Sequence, residues 1–196
     1  MISGLIDACI GCWLAASAVA AGGQDLESLL ASLAREPPQT IAFVETDRSR
    51  LLERDLVVSG VLEYHGKDRL SRVVTEPYRE RTDIEGSDVR IQREGRPERR
   101  FSLQRSQALA GMLAAFSSVL AGDRAALESV FEPAVEFTAD AWRLDLVPRE
   151  RGAEDRVAKI RVSGTGGTPA CIVVLAPDGS TATVIRLGAT EQNCEP

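Results

Sequence analysis

The stretch FVETDRSRLLERDLVVSGVLEYHGKDRLSRVVTEPYR, from Phe43 to Arg79, decides the fold. It predicts two strands, Asp55–His65 and Leu70–Thr75, joined by a turn at Gly66–Asp68. Apolar and polar side chains alternate along the first strand, which is the period of a strand that buries one face. The pattern therefore predicts the start of a curved sheet with an apolar inner face. Because nothing in it resembles an active site, it favours a carrier or binding protein over an enzyme.

The rest of the chain adds helices and further strands to this stretch. Helices are predicted at Asp25–Arg35, Ser106–Ala121 and Arg124–Phe131, with Pro133 closing the third. The other strands are predicted at Thr40–Glu45, Glu80–Ile84, Asp88–Arg93, Arg99–Leu103, Val135–Thr138, Ala141–Val147, Arg156–Ser163, Ala170–Ala176 and Thr181–Leu187. About ten strands predict one large antiparallel sheet, which should curl. Helices on one face of such a sheet make the fold class α+β.

The helix at Ser106–Ala121, SQALAGMLAAFSSVLA, carries no charged residue. Ser106 suits an N-cap, Gly122 predicts the end of the helix, and Asp123 predicts the cap of the next one. Its apolar stripe consists of Leu109, Met112, Leu113, Phe116 and Leu120. A helix this apolar must be covered or must itself cover an apolar surface. A curled sheet covered in this way encloses a cavity, and such mouths are common ligand sites.

Length and charge restrict the class of protein. The chain has 196 residues, which suits one domain with a sizeable core. Its 44% hydrophobic and 27% charged residues are typical of a globular protein. The formal net charge of −6 argues against a nucleic-acid partner, because phosphate binding along a nucleic acid needs a basic face.

The N-terminus predicts a secretory signal peptide. The run ACIGCWLAASAVAA, Ala8–Ala21, is too short to span a bilayer, and Ala18-Val19-Ala20 fits the small-x-small rule for signal cleavage. No Lys or Arg precedes the run, and a buried N-terminal helix is the alternative. The expected division of the chain is a signal peptide over residues 1–20, one domain over residues 21–188 and a polar tail over residues 189–196.

Two of the four cysteines remain after such a cleavage, Cys171 in an apolar strand and Cys194 in the tail. In an exported protein they can form a disulfide that ties the tail to the sheet. Two free thiols are the alternative, and the sequence does not decide between them.

Residues suited to catalysis, metal binding or cofactor binding are few. His65 is the single histidine and lies beside a turn, which is more typical of a solvated residue than of a general base or metal ligand. The Gly-rich Gly164–Gly167 lacks the following helix that a phosphate site needs. We therefore expect no enzymatic activity, no metal and no cofactor. The arginines of Arg90–Arg105 interleave with Glu94 and Glu98, which favours a salt-bridged exposed sheet over a headgroup or partner contact.

The order of short motifs over residues 25–188 resembles the outer-membrane lipoprotein carrier family, LolA, and in particular its divergent LolA-related branch. The shared motifs are Phe43-x-Glu45, Gly60-x-Leu62-x-Tyr64, Arg69-Leu70-x-Arg72, Pro77, Gly86-x-x-Val89, Leu120-x-Gly122-Asp123, Trp142-x-Leu144-x-Leu146-x-Pro148 and Asp178-Gly179. The resemblance implies an unclosed, strongly curved antiparallel β-barrel with a helical lid over an apolar cavity. One departure concerns the lid: the family's lid-locking arginine, followed by proline, has no counterpart in His65–Arg69.

The resemblance also implies a function. Family members take acyl chains of lipoproteins into the cavity and carry them across the periplasm, from an inner-membrane donor to an outer-membrane acceptor. For this chain we expect a monomeric carrier of lipoprotein or (glyco)lipid acyl chains; a sensing or scaffold domain of the same fold that binds a protein partner is the alternative. The expected cavity-lining residues are Leu62, Tyr64, Leu70, Val89, Ile91, Phe101, Met112, Leu113, Phe116, Trp142, Leu144 and Ile160. The same residues could instead be plain core.

Overall fold

Within the residues that the computed structural model describes, eleven antiparallel strands form one curved, unclosed sheet, and three helices accompany it. The structure describes residues 22–48, 54–66, 68–103, 107–149, 157–178, 181–188 and 194. The helices are α1 (Gly22–Leu33), α2 (Gln107–Ala121) and α3 (Arg124–Val130). The strands are β1 (Gln39–Asp47), β2 (Leu56–Gly66), β3 (Arg69–Glu76), β4 (Glu80–Glu85), β5 (Asp88–Arg93), β6 (Arg99–Ser102), β7 (Phe131–Phe137), β8 (Trp142–Pro148), β9 (Lys159–Thr165), β10 (Thr168–Leu175) and β11 (Thr181–Leu187).

Several expectations concern residues beyond this description. The signal peptide, the Ser106 cap and the polar tail apart from Cys194 lie outside the described residues. The fold class itself, α+β with a strongly curved antiparallel sheet, is confirmed.

The strand order shows how the sheet is assembled. It runs β6-β5-β4-β3-β2-β1-β11-β10-β9-β8-β7, so each half is a meander in which consecutive strands pair. The two halves meet where β1 pairs with β11, with Phe43 opposite Leu187 and Asp47 opposite Thr183. The first half therefore ends at β6 and the second at β7, on opposite edges of the sheet.

The connection between these two edges explains the position of the helices. At about 4.8 Å per strand, ten spacings separate β6 from β7 by roughly 48 Å along the sheet. The 15 residues of α2 span only about 22 Å and the 7 residues of α3 about 10 Å. Because the connection is this short, the sheet has to curve, and α2 crosses its concave side.

The local signals at the helix ends behave as the sequence predicts. Gly122 adopts φ +65° directly after α2, and its N–H donates to the carbonyl of Val119. The Asp123 side chain accepts a hydrogen bond of 2.9 Å from the Ala126 N–H and caps α3. Helix α1 carries a stripe of four leucines, Leu26, Leu29, Leu30 and Leu33, and all four are buried.

One boundary prediction is wrong. Pro133 does not close α3; the helix ends at Val130, and β7 begins at Phe131 instead of at Val135. The Phe131 N–H still caps the helix by donating to the Leu127 carbonyl, while its own backbone is already extended. Proline fits here because β7 is an edge strand with only β8 beside it. The unpaired side of an edge strand does not need the backbone N–H that proline lacks.

A disulfide between Cys171 and Cys194 ties the end of the chain to β10, with the two Cα atoms 5.6 Å apart. Cys171 lies opposite Arg186 of β11 in the strand register. Only 1% of its surface is exposed. The disulfide therefore packs against the sheet. The sequence left open a disulfide or two free thiols, and the structure has the disulfide.

We expect Gly60→Ala to destabilise the protein by about 1–3 kcal/mol, because overpacking at a tight contact forces the backbone to move. A Cβ at Gly60 would lie 1.8 Å from the carbonyl oxygen of Val73 on the paired strand. The free energy of unfolding from urea titration measures this. Ser59→Ala in the same strand is the control and should change it by less than about 0.5 kcal/mol; equal effects would contradict the packing argument.

Candidate ligand-binding site

The buried apolar side chains of the concave side form two clusters. We call the larger one the α1 cluster: it contains Leu26, Leu29, Leu30, Leu33, Phe43, Val58, Val74, Ala115, Val119, Leu127, Phe131, Trp142, Leu144, Leu146, Ile160, Val162, Ile172, Ile185 and Leu187. The smaller one, the β5 cluster, contains Tyr64, Leu70, Ile84, Val89, Leu103, Leu113 and Leu120. Helix α2 contributes to both, and half-buried Phe116 packs against both.

The twelve predicted lining residues are divided between these clusters. Trp142, Leu144 and Ile160 lie in the α1 cluster at 4%, 0% and 3% exposure, and half-buried Leu62 packs against it. Seven of the others belong to or pack against the β5 cluster: Tyr64, Leu70, Val89, Ile91, Phe101, Leu113 and Phe116. The side chain of Met112 lies outside the description. The structure thus brings seven of the predicted residues together at the β5 cluster, whereas Trp142, Leu144 and Ile160 of β8 and β9 lie in the α1 cluster, with Leu62 packed against it.

Four of the predicted residues keep accessible surface: Leu62, Ile91, Phe101 and Phe116 are half-buried. Ile91 and Phe101 lie on β5 and β6, at the edge of the sheet, beside the β5 cluster. Phe116 approaches the same cluster from α2. These side chains keep accessible apolar surface, whereas fully buried residues such as Leu144 have none.

An ion group that the sequence analysis did not identify lies on the same concave side. Arg72 alternates with buried Leu70 and Val74 along β3, so it faces inward. Its Nη2 donates to Glu45 Oε2 at 2.8 Å, and its Nη1 lies 3.8 Å from Glu80 Oε1. The alternation Leu-Ser-Arg-Val-Val contained the signal, because it places Arg72 in step with two buried apolar positions.

The aromatic ring of Phe43 supports this arginine. The Arg72 guanidinium carbon lies 5.1 Å from the ring centroid, within the range of a cation–π contact. The two carboxylates and the ring stabilise the Arg72 guanidinium at a half-buried position, where an unpaired positive charge would be costly. The concave side therefore combines apolar clusters with one neutralised charged position.

The opposite face of the sheet carries a second polar network, around His65. The Ser71 hydroxyl donates to Asp83 at 2.7 Å and lies 3.3 Å from His65 Nε2. Arg81 contacts Asp83 at 2.8 Å and Glu63 at 3.0 Å, and His65 Nε2 lies 3.4 Å from Glu63. Since Ser71 is only 3% exposed and its proton is directed to Asp83, the network ties β2, β3 and β4 together. Among the described residues, no group of three or more His, Cys, Asp or Glu is arranged to hold a metal ion.

A groove of about 620 Å³ lies at the ends of β3, β4 and β5. Val73, Arg81 and Gln92 line it and pair with one another in register, on the face opposite to the two apolar clusters. None of the twelve residues predicted from the sequence lines this groove. It is a separate feature of the surface.

Comparison with protein families identifies the fold. The family model "Outer membrane lipoprotein carrier protein LolA-like" matches residues 15–195. The chain belongs to this family. The match confirms the resemblance drawn from the motifs and covers both meanders and the crossing helices of this LolA-like protein. No curated protein matches its sequence closely enough to count as a relative.

Solved structures similar to this LolA-like protein share little sequence with it. A LolA superfamily protein, NE2245 from Nitrosomonas europaea, is 14% identical over 90% of this chain and 95% of its own, with a TM-score of 0.46. MucB is 14% identical over 88% of this chain and 60% of its own length, with a TM-score of 0.48. An uncharacterised conserved protein from Thermus thermophilus is 10% identical over 87% of this chain and 89% of its own, with a TM-score of 0.45. In the described part of this chain, the helices are too short or too polar to cross a membrane.

The Asp83 network makes the stability of the fold depend on pH. Burial alone would raise the pKa of Asp83, but hydrogen bonds from Ser71 and Arg81 and the charge of Arg81 outweigh it and lower the pKa. A carboxylate with a lowered folded pKa stabilises the protein above its unfolded pKa of about 3.9, and loses this effect as the pH falls further. We expect Asp83→Asn to cost about 1 kcal/mol at neutral pH, because the partly exposed partners are screened.

Urea titrations at several pH values measure this difference. The stabilities of Asp83→Asn and the unmodified protein should converge below a pH of about 4. Asp88→Asn is the control, since Asp88 is exposed at the start of β5. A difference that persisted unchanged at acidic pH would show that the carboxylate charge is not what stabilises the network.

Proposed function

We propose that this LolA-like protein is a periplasmic carrier that binds acyl chains of lipoproteins or (glyco)lipids. The observation that carries the proposal is the meeting of half-buried Ile91, Phe101 and Phe116 at the β5 cluster, beside the uncharged helix α2. Family membership supports the same function. The ligand would lie between α2 and the strands β2–β6, since the α1 cluster is filled by its own side chains.

Transfer of apolar surface supplies the affinity in this proposal. Each buried methylene contributes about 0.8 kcal/mol, so a chain of roughly a dozen carbons gains about 10 kcal/mol before the entropic costs of binding. Binding of this kind requires no catalytic group and no cofactor. We accordingly propose a binding protein without enzymatic activity, which receives its cargo from an inner-membrane donor and delivers it to an outer-membrane acceptor as a monomer.

The proposed route through the cell begins at the N-terminus. Residues 1–20 would direct export, and residues 21–188 would be the carrier domain. The disulfide between Cys171 and Cys194 supports export, because disulfides persist in the oxidising periplasm and are rare in the cytosol.

A second candidate, a sensing or scaffold domain that binds a protein partner, is favoured by the ion group of the concave side. Arg72, Glu45 and Glu80 lie on the same side as the β5 cluster. An acyl chain cannot use such charges, whereas the polar side chains of a protein can. Native mass spectrometry after gentle purification, together with binding of a fluorescent lipid, separates the two candidates: no recovered lipid and no lipid binding would count heavily against the carrier.

Ile91→Glu tests the location of the acyl site. We expect it to weaken binding of a neutral fluorescent monoacylglycerol about tenfold or more, because a carboxylate beside an acyl chain is costly to desolvate. The half-buried position lets the variant fold, which circular dichroism checks. Val57→Glu is the matched control: Val57 is 51% exposed, and its register places it on the opposite face of β2. Unchanged binding by Ile91→Glu, or an equal loss in Val57→Glu, would rule out this site.

A further inference from the structure

The groove at the ends of β3, β4 and β5 has an apolar floor and a rim of charged side chains. The side chain of half-buried Val73 forms part of the floor. Its charged residues are Arg79, Arg81, Arg93, Arg96, Glu80, Glu94 and Glu98. A volume of about 620 Å³ lies within the range of sites for small ligands. The groove therefore has the size and the mixed chemistry of a site for a small amphipathic molecule.

Backbone hydrogen bonds hold the walls of the groove in place. The Glu94 N–H donates to the Arg79 carbonyl at 3.0 Å, which joins the β3–β4 connection to the β5–β6 turn. The Arg96 N–H donates to the Arg93 carbonyl at 3.0 Å and closes that turn. The Arg93 guanidinium carbon lies 3.7 Å from the ring centroid of Tyr78, which ties the end of β5 to the β3–β4 connection. The groove is thus shaped before any ligand arrives.

The ion pairs of the groove leave positive charge in excess. Arg81 is paired with Glu63 and Asp83, and Arg93 lies 4.0 Å from Glu80. Glu98 accepts hydrogen bonds from Arg100 and Gln92. Within the described chain, this leaves two lining arginines without an ion pair, Arg79 and Arg96, and one lining glutamate, Glu94.

We propose that this groove binds the phosphate headgroup of an anionic phospholipid in a membrane surface and docks the protein there. Guanidinium groups match the geometry of phosphate oxygens, and Arg79 and Arg96 line the same space. The apolar surface of Val73 receives the glycerol carbons next to the phosphate. Because Val73, Arg81 and Gln92 of the groove lie on the face opposite to the β5 cluster, docking through that face leaves the proposed acyl site on the other side of the sheet.

Vesicle flotation tests the docking site. The protein should float with phosphatidylcholine vesicles that contain phosphatidylglycerol and not with phosphatidylcholine alone. Raising the salt to about 1 M should release it, since charges are then screened beyond about 3 Å. Arg79→Gln and Arg96→Gln should each weaken binding about fivefold. Arg186→Gln, which removes the same charge from an exposed position on β11, is the control and should bind as the unmodified protein does.

Several results would overturn the proposal. Equal binding to both vesicle types would show that the negative charge of the lipid plays no part. An equal loss of binding in Arg186→Gln would show a general effect of positive charge and no specific role of the groove. Full displacement by inorganic phosphate, against chloride at the same ionic strength, would assign the groove to free phosphate. Binding of an acidic peptide without binding of vesicles would assign it to a protein partner.

The acyl site can be judged independently with the same variants. The Arg79→Gln/Arg96→Gln double variant should still bind the neutral monoacylglycerol probe, and Ile91→Glu should still float with anionic vesicles. Failure of docking with intact probe binding would remove this inference and leave the carrier function standing. The reverse result would remove the carrier function and leave the docking site.

Discussion

The pairing of β1 with β11 is the constraint on which the rest of this LolA-like structure depends. It joins two meanders that are far apart in the chain, with Phe43 opposite Leu187 at one end of the pairing. Once they are joined, β6 and β7 become the two edges of one sheet, and the chain between them must cross its concave side. The helices α2 and α3 are too short to bridge a flat sheet of this width. The pairing of β1 with β11 therefore requires the sheet to curve and the helices to cross its concave side.

This arrangement explains why α2 carries no charge. The helix lies over the boundary of the two apolar clusters, with Ala115 and Val119 in the α1 cluster and Leu113 and Leu120 in the β5 cluster. Buried positions thus occur around much of its circumference, and a charged side chain there would have no solvent to reach. The same helix covers core on one side and ligand-accessible surface, near Phe116, on the other.

The two halves of the sheet differ in how completely their apolar side chains are buried. The half next to α1 contains residues with no exposed surface, such as Leu127, Leu144 and Leu146, and is closed by the leucine stripe of α1. The half from β2 to β6 has fewer buried residues and retains half-buried Ile91 and Phe101 at its edge. It also carries charged side chains on both faces, such as Arg72 and Arg81, and both proposed binding sites lie in this half.

The sequence by itself determined the strand and helix content, the one-sided apolar pattern, the Gly122 and Asp123 helix signals and the family, because these depend on local spacing and turn chemistry. It misplaced the start of β7, since proline is compatible with an edge strand, and edge position is not a local property. Only the tertiary structure decided which apolar residues keep accessible surface. Trp142 and Ile91 both occupy inward positions of strands in which apolar and polar residues alternate. Trp142 is covered by neighbours distant in the chain, whereas Ile91 lies near the β6 edge of the sheet and stays half-buried. The inward Arg72 and the groove arginines also acquired their roles from cross-strand neighbours, which pairing register selects and sequence spacing does not reveal.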